Sequence, residues 1–270
     1  MSYDLLIITP TLGSSHFFPE TMQSIARLRC SYRHIIVCPS WQVERLKAIC
    51  SESTVVAEPA HTRGLYGAIN HGLAAAQSDD WKWFTYINDD DLLLPGVEAC
   101  LGGAHEDDDL CYGHVDKIDE QSTRIESIST LKSASHFLPL VRSGISGFNQ
   151  QGAIIRRQIC ERIGDFDTNL RICADFDYFV RAAVNGARLR YFPVVTGAFR
   201  IRAGQISQDI ALELEEKTEI YRKNNLDRYL GGAIRAKMLF RFQNSGAYVR
   251  RILRGGFYTS YQLLSGAKKA

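Results

Sequence analysis

Apolar runs of strand length alternate with stretches of helical spacing through the first part of the chain. Residues 4–8 (DLLII) form a continuous apolar run ending in Thr9-Pro10-Thr11, and residues 34–38 (HIIVC) and 54–57 (TVVA) form two more. Runs this short, without polar alternation, suit strands buried on both faces. Between them, residues 19–29 put Met22, Ile25, Ala26 and Leu28 at helical spacing, with Pro19 near the first turn. Residues 42–50 repeat the pattern with Val43, Leu46 and Ile49. Residues 65–77 (LYGAINHGLAAAQ) predict a third helix. Its Gly67 and Gly72 each cost about 1 kcal/mol relative to Ala, so a helix that keeps them needs close approach to a neighbour. Strands and helices alternating at this spacing predict an α/β fold with a parallel, doubly wound sheet.

A fourth run, residues 84–87 (FTYI), leads through Asn88 into Asp89-Asp90-Asp91, then an apolar segment broken by Pro95-Gly96. Three adjacent carboxylates at a strand end lie where open α/β folds bind ligands. Such a cluster repels itself unless a cation or a donor-rich ligand neutralises it. Hard divalent ions with oxygen ligands, Mg²⁺ or Mn²⁺, suit it best. The alternative is that Asp91 or a neighbour caps the next helix while the others are solvated. Downstream, the pattern predicts a helix over 96–105, a strand over 110–115, a polar hairpin over 116–128 and a glycine-rich loop entering a strand over 143–155. Helices at 156–163 and 174–185 flank a turn at 164–167, and Asp175 and Asp177 sit where they favour the second helix's dipole. One or two strands over 189–202 precede a long polar helix over 207–229.

Composition adds little until it is divided by position. The chain is 45% hydrophobic and 23% charged, with a net charge of +2. From Arg222 onward there are eleven Lys/Arg and one acid, Asp227, a net of +10, against −8 for the first 221 residues. Seven scattered cysteines without a CxxC pair are neither a disulfide framework nor a zinc site, and read as small buried residues in a reducing compartment. The N-terminus lacks the pattern of a signal peptide, and no apolar run approaches the ~20 residues that span a bilayer. The expected location is cytoplasmic, peripheral on the inner membrane face if the basic tail binds lipid.

Four segments in this order resemble the family 2 glycosyltransferases, which have the GT-A fold: a Rossmann-like, mostly parallel central sheet flanked by helices. They are Ile8-Thr9-Pro10-Thr11; residues 63–72 (RGLYGAINHG); residues 86–91 (YINDDD) with Pro95-Gly96; and Gln150-Gln151 with residues 164–167 (GDFD) and 174–177 (ADFD). Each motif is weak alone, and the order and spacing make them strong together. The resemblance implies an inverting transferase that moves a sugar from a nucleotide-diphosphate donor, UDP-linked in many relatives, to a hydroxyl of a glycan or lipid-linked saccharide. It implies Mn²⁺ or Mg²⁺ on Asp91 with Asp89 or Asp90, Asp91 being the favoured ligand. Thr9, Pro10, Thr11, Arg63, Asn70, Asp89, Asp90 and Arg202 would bind the nucleotide-sugar. Gln150, Gln151 and Asp177 would face the acceptor, and Asp175 would be the catalytic base. Departures stand at Gly67 and Ala174, where relatives carry acids, and after strand two, where residues 37–41 (VCPSW) hold no carboxylate. Trp41 is expected to be packed.

Two other readings use the same residues. A nucleotidyl or phosphoryl transferase would employ the aspartates and assign Asp175 no role; a non-catalytic membrane-associated relative would employ neither. The resemblance covers roughly residues 4–207; the expected GT-A domain is residues 1–221, leaving 222–270 as a basic amphipathic helical tail. That pattern predicts contact with an anionic membrane surface or packing on protein. No reader motif accompanies the charge, so nucleic acid is not an expected partner.

Overall fold

A computed structural model describes residues 2–61, 64–202, 204–205, 208–226 and 230–253, with side chains of 230, 231 and 250–253 outside the description. Four parallel strands form one half of a curled sheet: β1 (Ser2–Pro10), β2 (Tyr32–Cys38), β3 (Thr54–Ala57) and β4 (Asp80–Tyr86), in the order β3-β2-β1-β4. Helices α1 (Phe18–Ala26), α2 (Val43–Ile49) and α3 (Gly64–Ala75) make the crossovers. The second half is mixed. After the two-residue β5 (Leu92–Leu93) and α4 (Gly96–Gly103) come β6 (Leu110–Ile118) and β7 (Arg124–Ser127), the expected hairpin. Then follow α5 (Phe137–Val141), β8 (Ile154–Arg156), α6 (Arg157–Ile163), α7 (Ala174–Val184) and β9 (Leu189–Arg200). Strand β8 pairs antiparallel with β4 and β6, β6 runs parallel to β9, and β5 closes the far edge antiparallel to β9. The expected mostly parallel α/β sheet is present, with its antiparallel members confined to this half.

Strand β1 explains why its sequence is apolar without alternation. Leu5 and Ile7 pack in a layer with Ile25, Leu28, Val97 and Cys100, whereas Leu6 and Ile8 face Tyr66, Ile69, Ile159 and Ala174. Both faces of the strand are therefore covered by helices. Gly72 explains the tolerated glycine of α3: a Cβ there would lie 2.8 Å from Ile8 Cγ2 and 3.1 Å from Val37 Cγ2. The helix lies closer to β1 and β2 than any larger residue permits. All seven cysteines are free, and six are buried.

The last part of the chain is helical: α8 (Ile210–Lys223), α9 (Leu230–Gln243) and α10 (Ser245–Leu253). Helix α8 is shorter than its expected span and starts at an Asp209 cap, whose side chain accepts from the Leu212 N–H. Ser207 lies outside the described residues. One face of α9 (Ala233, Ala236, Phe240) is buried, and Ala236 and Phe240 share a core with Leu140 and Val141 of α5. Trp41 is 78% exposed, not packed, because its three-residue 3-10 turn (Ser40–Gln42) lies at the surface with no buried residue. Among the described residues no helix is long and apolar enough to cross a membrane.

Candidate active site

The carboxyl ends of β1 and β4, the start of α3, the 146–151 loop, the N-terminus of α7 and the end of β9 surround a cavity of about 1220 Å³. Pro10, Thr11, Asn88, Asp89, Asp90, Gln150, Gln151, Asp175 and Arg202 all line it. One concavity thus collects residues from all four sequence segments.

The aspartate triplet divides. The Asp89 carboxylate accepts from Thr11 Oγ1, and its backbone carbonyl accepts from Ser15 Oγ at 3.0 Å. Burial raises its pKa, opposed by the Thr11 hydrogen bond. Asp90 Oδ2 accepts from Arg202 Nε at 2.7 Å, and its other carboxylate oxygen has no hydrogen-bond partner among the described residues. Asp91 is fully buried and does not line the cavity. Its Oδ1 accepts from the Arg200 N–H at 2.9 Å, and its Oδ2 from Gln151 Nε2 at 2.9 Å and Asn88 Nδ2 at 3.3 Å. Burial and the neighbouring Asp90 charge push its carboxyl pKa up. Asp91, the favoured metal ligand on the sequence, is thus placed off the cavity with three donors on its oxygens, and Asp89 and Asp90 are the members that face the cavity.

Four other expected site residues are placed differently from one another. Thr9 is fully buried against His34, Oγ1 to Nε2 2.9 Å, and is absent from the cavity wall; burial pushes the His34 pKa down to about 3, so the ring is neutral. Strand β1 ends at Pro10, so Thr9 stays within the sheet while Pro10 and Thr11 lie at its edge. Asn70 pairs with one backbone through both ends of its amide: Nδ2 donates to the Phe166 carbonyl and Oδ1 accepts the Phe166 N–H, both at 2.9 Å. It therefore fastens the 164–167 turn to α3 and does not line the cavity. Asp177 is buried and pairs with Arg181 Nε at 2.7 Å, one helical turn along α7, away from the cavity. Arg63 lies outside the described residues.

Asp175 stands in the first turn of α7 on the cavity wall. Its Oδ1 accepts the Phe176 N–H at 2.7 Å and is approached by the Tyr66 hydroxyl at 3.4 Å. Burial raises its pKa to about 6, against the lowering influence of these donors and of Lys217. Tyr66 is itself held well above the usual phenol range by burial and the Asp175 charge, so it remains a donor.

Two buried charged residues that the sequence pattern does not reveal hold these groups. Arg200 is fully buried, with Nε donating to the Asp90 carbonyl at 2.7 Å and its terminal nitrogens reaching the Asp119 carbonyl (3.0 Å), Ser122 Oγ (2.9 Å) and Glu20 (2.9 Å). Its guanidinium also lies 4.2 Å from the Phe17 ring centroid. Glu216 of α8 accepts the backbone N–H groups of Arg171 (2.5 Å), Ile172 (3.0 Å) and Cys173 (2.8 Å), the last being the N-cap residue of α7, which has no side-chain cap of its own. The only sequence cue for Arg200 is its place two residues before Arg202, and Glu216 has none.

The wall suits a hard cation with oxygen-rich ligands. Asp89 and Asp90 supply carboxylates, and Asn88 beside them also lines the cavity. Among the described residues no cluster of three or more acidic, His or Cys side chains forms a complete metal cage. That is compatible with Mg²⁺ or Mn²⁺, which bind through one or two carboxylates and substrate phosphates.

Residues 6–164 match glycosyl transferase family 2, and the chain belongs to that family. It is 24% identical over 216 residues to a PGL/p-HBAD biosynthesis glycosyltransferase of Mycobacterium tuberculosis, covering 72% of this chain and 75% of that one. Its fold is similar to S. aureus TarS 1-349 in complex with UDP-GlcNAc, with TM-score 0.62, 13% identity and coverage of 90% and 73% of the two chains. It spans 42% of the longer TarS chain. It is also similar to the mannosyltransferase PcManGT from Pyrobaculum calidifontis in complex with GDP-Man and Mn2+, with TM-score 0.60, 16% identity and coverage of 98% and 79%. The family and the GT-A-like α/β fold expected from the four motifs are thus borne out.

Proposed function

We propose that this glycosyltransferase is inverting and metal-dependent, taking a nucleoside-diphosphate sugar as donor and a hydroxyl of a glycan or lipid-linked saccharide as acceptor. The observation that carries the reading is Asp175, a cavity carboxylate with a pKa raised to about 6, on the same wall system as Asp89 and Asp90. A carboxylate near neutrality can take a proton from an attacking hydroxyl. The acceptor oxygen attacks the anomeric carbon, Asp175 receives its proton, and the bond to the diphosphate breaks on the opposite face. A single base suffices for inversion; retaining glycosyl transfer is commonly built around a second carboxylate. Glu213 also lines the cavity, but it is ion-paired with Lys217 at 2.6 Å.

Asp89 and Asp90 would hold Mn²⁺ or Mg²⁺, which when bound supplies a Lewis acid for the leaving diphosphate. Arg202 then lies beside the same phosphates, and Pro10 and Thr11 flank the nucleoside. Gln150, by contrast, donates its amide to the Tyr86 carbonyl and acts as a brace for the loop. UDP- and GDP-sugars are the first donors to try, by analogy with the two structural neighbours. Nucleotidyl transfer gives Asp175 no role and is the weaker reading.

A thermal-shift screen of nucleotide-sugars with and without Mn²⁺ tests this. A ligand at a hundred times its Kd stabilises by about 2.7 kcal/mol. One donor should stand clear, with the Mn²⁺-dependent part lost in Asp90→Ala. Absence of stabilisation by every nucleotide-sugar would overturn the proposal.

A further inference from the structure

Helix α9 is apolar on two opposite faces. Ala233, Ala236 and Phe240 are buried, while Ile234, Met238 and Phe242 are 63%, 68% and 79% exposed. At the ~100° per residue of an α-helix, the two sets lie roughly 170° apart. Single exposed apolar side chains are ordinary, but three in register over two turns form a ridge. On the same helical projection, Lys237 and Arg241 fall along one side of the ridge and Arg235 along the other. From residue 228 to 270 the chain carries nine Lys/Arg and no Asp/Glu.

We propose that this ridge docks the protein on an anionic lipid bilayer, with Ile234, Met238 and Phe242 entering the acyl boundary and the flanking cations meeting headgroup phosphates. The charge pattern selects this occupant. Pairing the ridge with a second copy would set Arg235, Lys237 and Arg241 against like charges, which opposes self-association. The helix lies on the surface rather than through it, since its other face is already buried on α5. The position also fits the site: the Phe137 ring of α5 is 5.2 Å from that of Phe148, which lines the cavity. One helix therefore separates the ridge from the cavity wall, and, on the transferase reading above, a lipid-linked acceptor would be presented beside it.

The test is co-sedimentation of the full chain with phosphatidylglycerol–phosphatidylcholine vesicles and with pure phosphatidylcholine vesicles. Binding should require phosphatidylglycerol and weaken with salt. Arg235→Gln and Arg241→Gln should each weaken it about fivefold, as loss of ~1 kcal/mol per cation requires. Met238→Ser with Phe242→Ser, both on the exposed face, should abolish binding while leaving circular dichroism and melting temperature unchanged. Three results would overturn the proposal: no binding to the anionic vesicles, unchanged binding by the Met238/Phe242 variant, or a ridge variant that alters oligomeric state in sedimentation velocity instead. Vesicle binding is read without turnover, so its failure is distinct from failure of the transferase reading.

Discussion

Asp175→Asn should separate function from stability in opposite directions. The Asp175 pKa stands at about 6 against a usual 3.8, chiefly because burial penalises the carboxylate. In the unfolded chain it titrates near 4. A carboxyl whose folded pKa is raised leaves stability intact below the unfolded value, erodes it as pH climbs to the folded value, and leaves it flat above. About two pKa units correspond to about 3 kcal/mol of destabilisation at pH near 7.5. Asparagine keeps an Oδ1 to accept the Phe176 N–H and removes the charge. The variant should therefore be up to about 3 kcal/mol more stable at pH 7.5, with a melting temperature higher by about 2–4 °C per kcal/mol, and indistinguishable from wild type near pH 4. Transfer should fall by about 10²–10⁴, and wild-type kcat/KM should rise roughly tenfold per pH unit below 6 and level off above it. Calorimetry across pH and a nucleotide-release assay measure both. A variant less stable at pH 7.5, or one that transfers normally, would refute the reasoning.

Other substitutions probe the scaffold. Asp91→Ala removes the acceptor for the Arg200 N–H and the Gln151 and Asn88 amides, and should cost about 1–3 kcal/mol per buried donor left unpaired in urea unfolding; Asp90→Ala should cost far less stability but lose Mn²⁺-dependent donor binding. Glu216→Gln replaces a charged acceptor of three N–H groups at the start of α7. It should destabilise by about 1.5–3 kcal/mol and lower kcat more than donor affinity, checked by urea unfolding and steady-state kinetics. Gly72→Ala should lose about 1–3 kcal/mol in the same unfolding assay, despite alanine's better helix propensity, because its Cβ would meet Ile8 at 2.8 Å.

Legibility in the sequence follows the range of the interactions responsible. Strands β1, β2 and β4 are readable because both faces are covered, which leaves residues 5–8, 35–38 and 84–87 apolar almost throughout. Strand β5 and helix α5 are too short to develop a period, and neither is evident from pattern alone. Motif order anticipates that Asp89, Asp90 and Asp175 reach one cavity wall, the first two because they follow the carboxyl end of β4 and the last because it opens α7. It misplaces Thr9 and Asn70, whose partners, His34 and the Phe166 backbone, are chosen by packing. Arg200 and Glu216 escape entirely: the former grips a carbonyl 110 positions earlier, and the latter caps a helix some forty residues upstream.

The triplet shows how three adjacent carboxylates can coexist in one site. Repulsion among them is eased by giving each a different environment. Asp91 goes inward, where N–H donors from three segments (Arg200, Gln151 and Asn88) satisfy it and tie the end of β9 and the 146–151 loop to the end of β4. Its burial and three donors make it an anchor of the loop ends. Asp89 is steadied by Thr11, and Asp90 by Arg202 at its carboxylate and Arg200 at its carbonyl. The two arginines divide along the same line: Arg200 is fully buried and fixes backbone, while the Arg202 side chain is 41% exposed and can meet a phosphate. The inner Asp91–Arg200 pair thus holds the geometry from which the outer Asp89, Asp90 and Arg202 face the cavity. A helix cap and a ligand site were rival explanations of residues 89–91; the fold instead turns one aspartate inward as a brace and leaves the other two on the cavity wall.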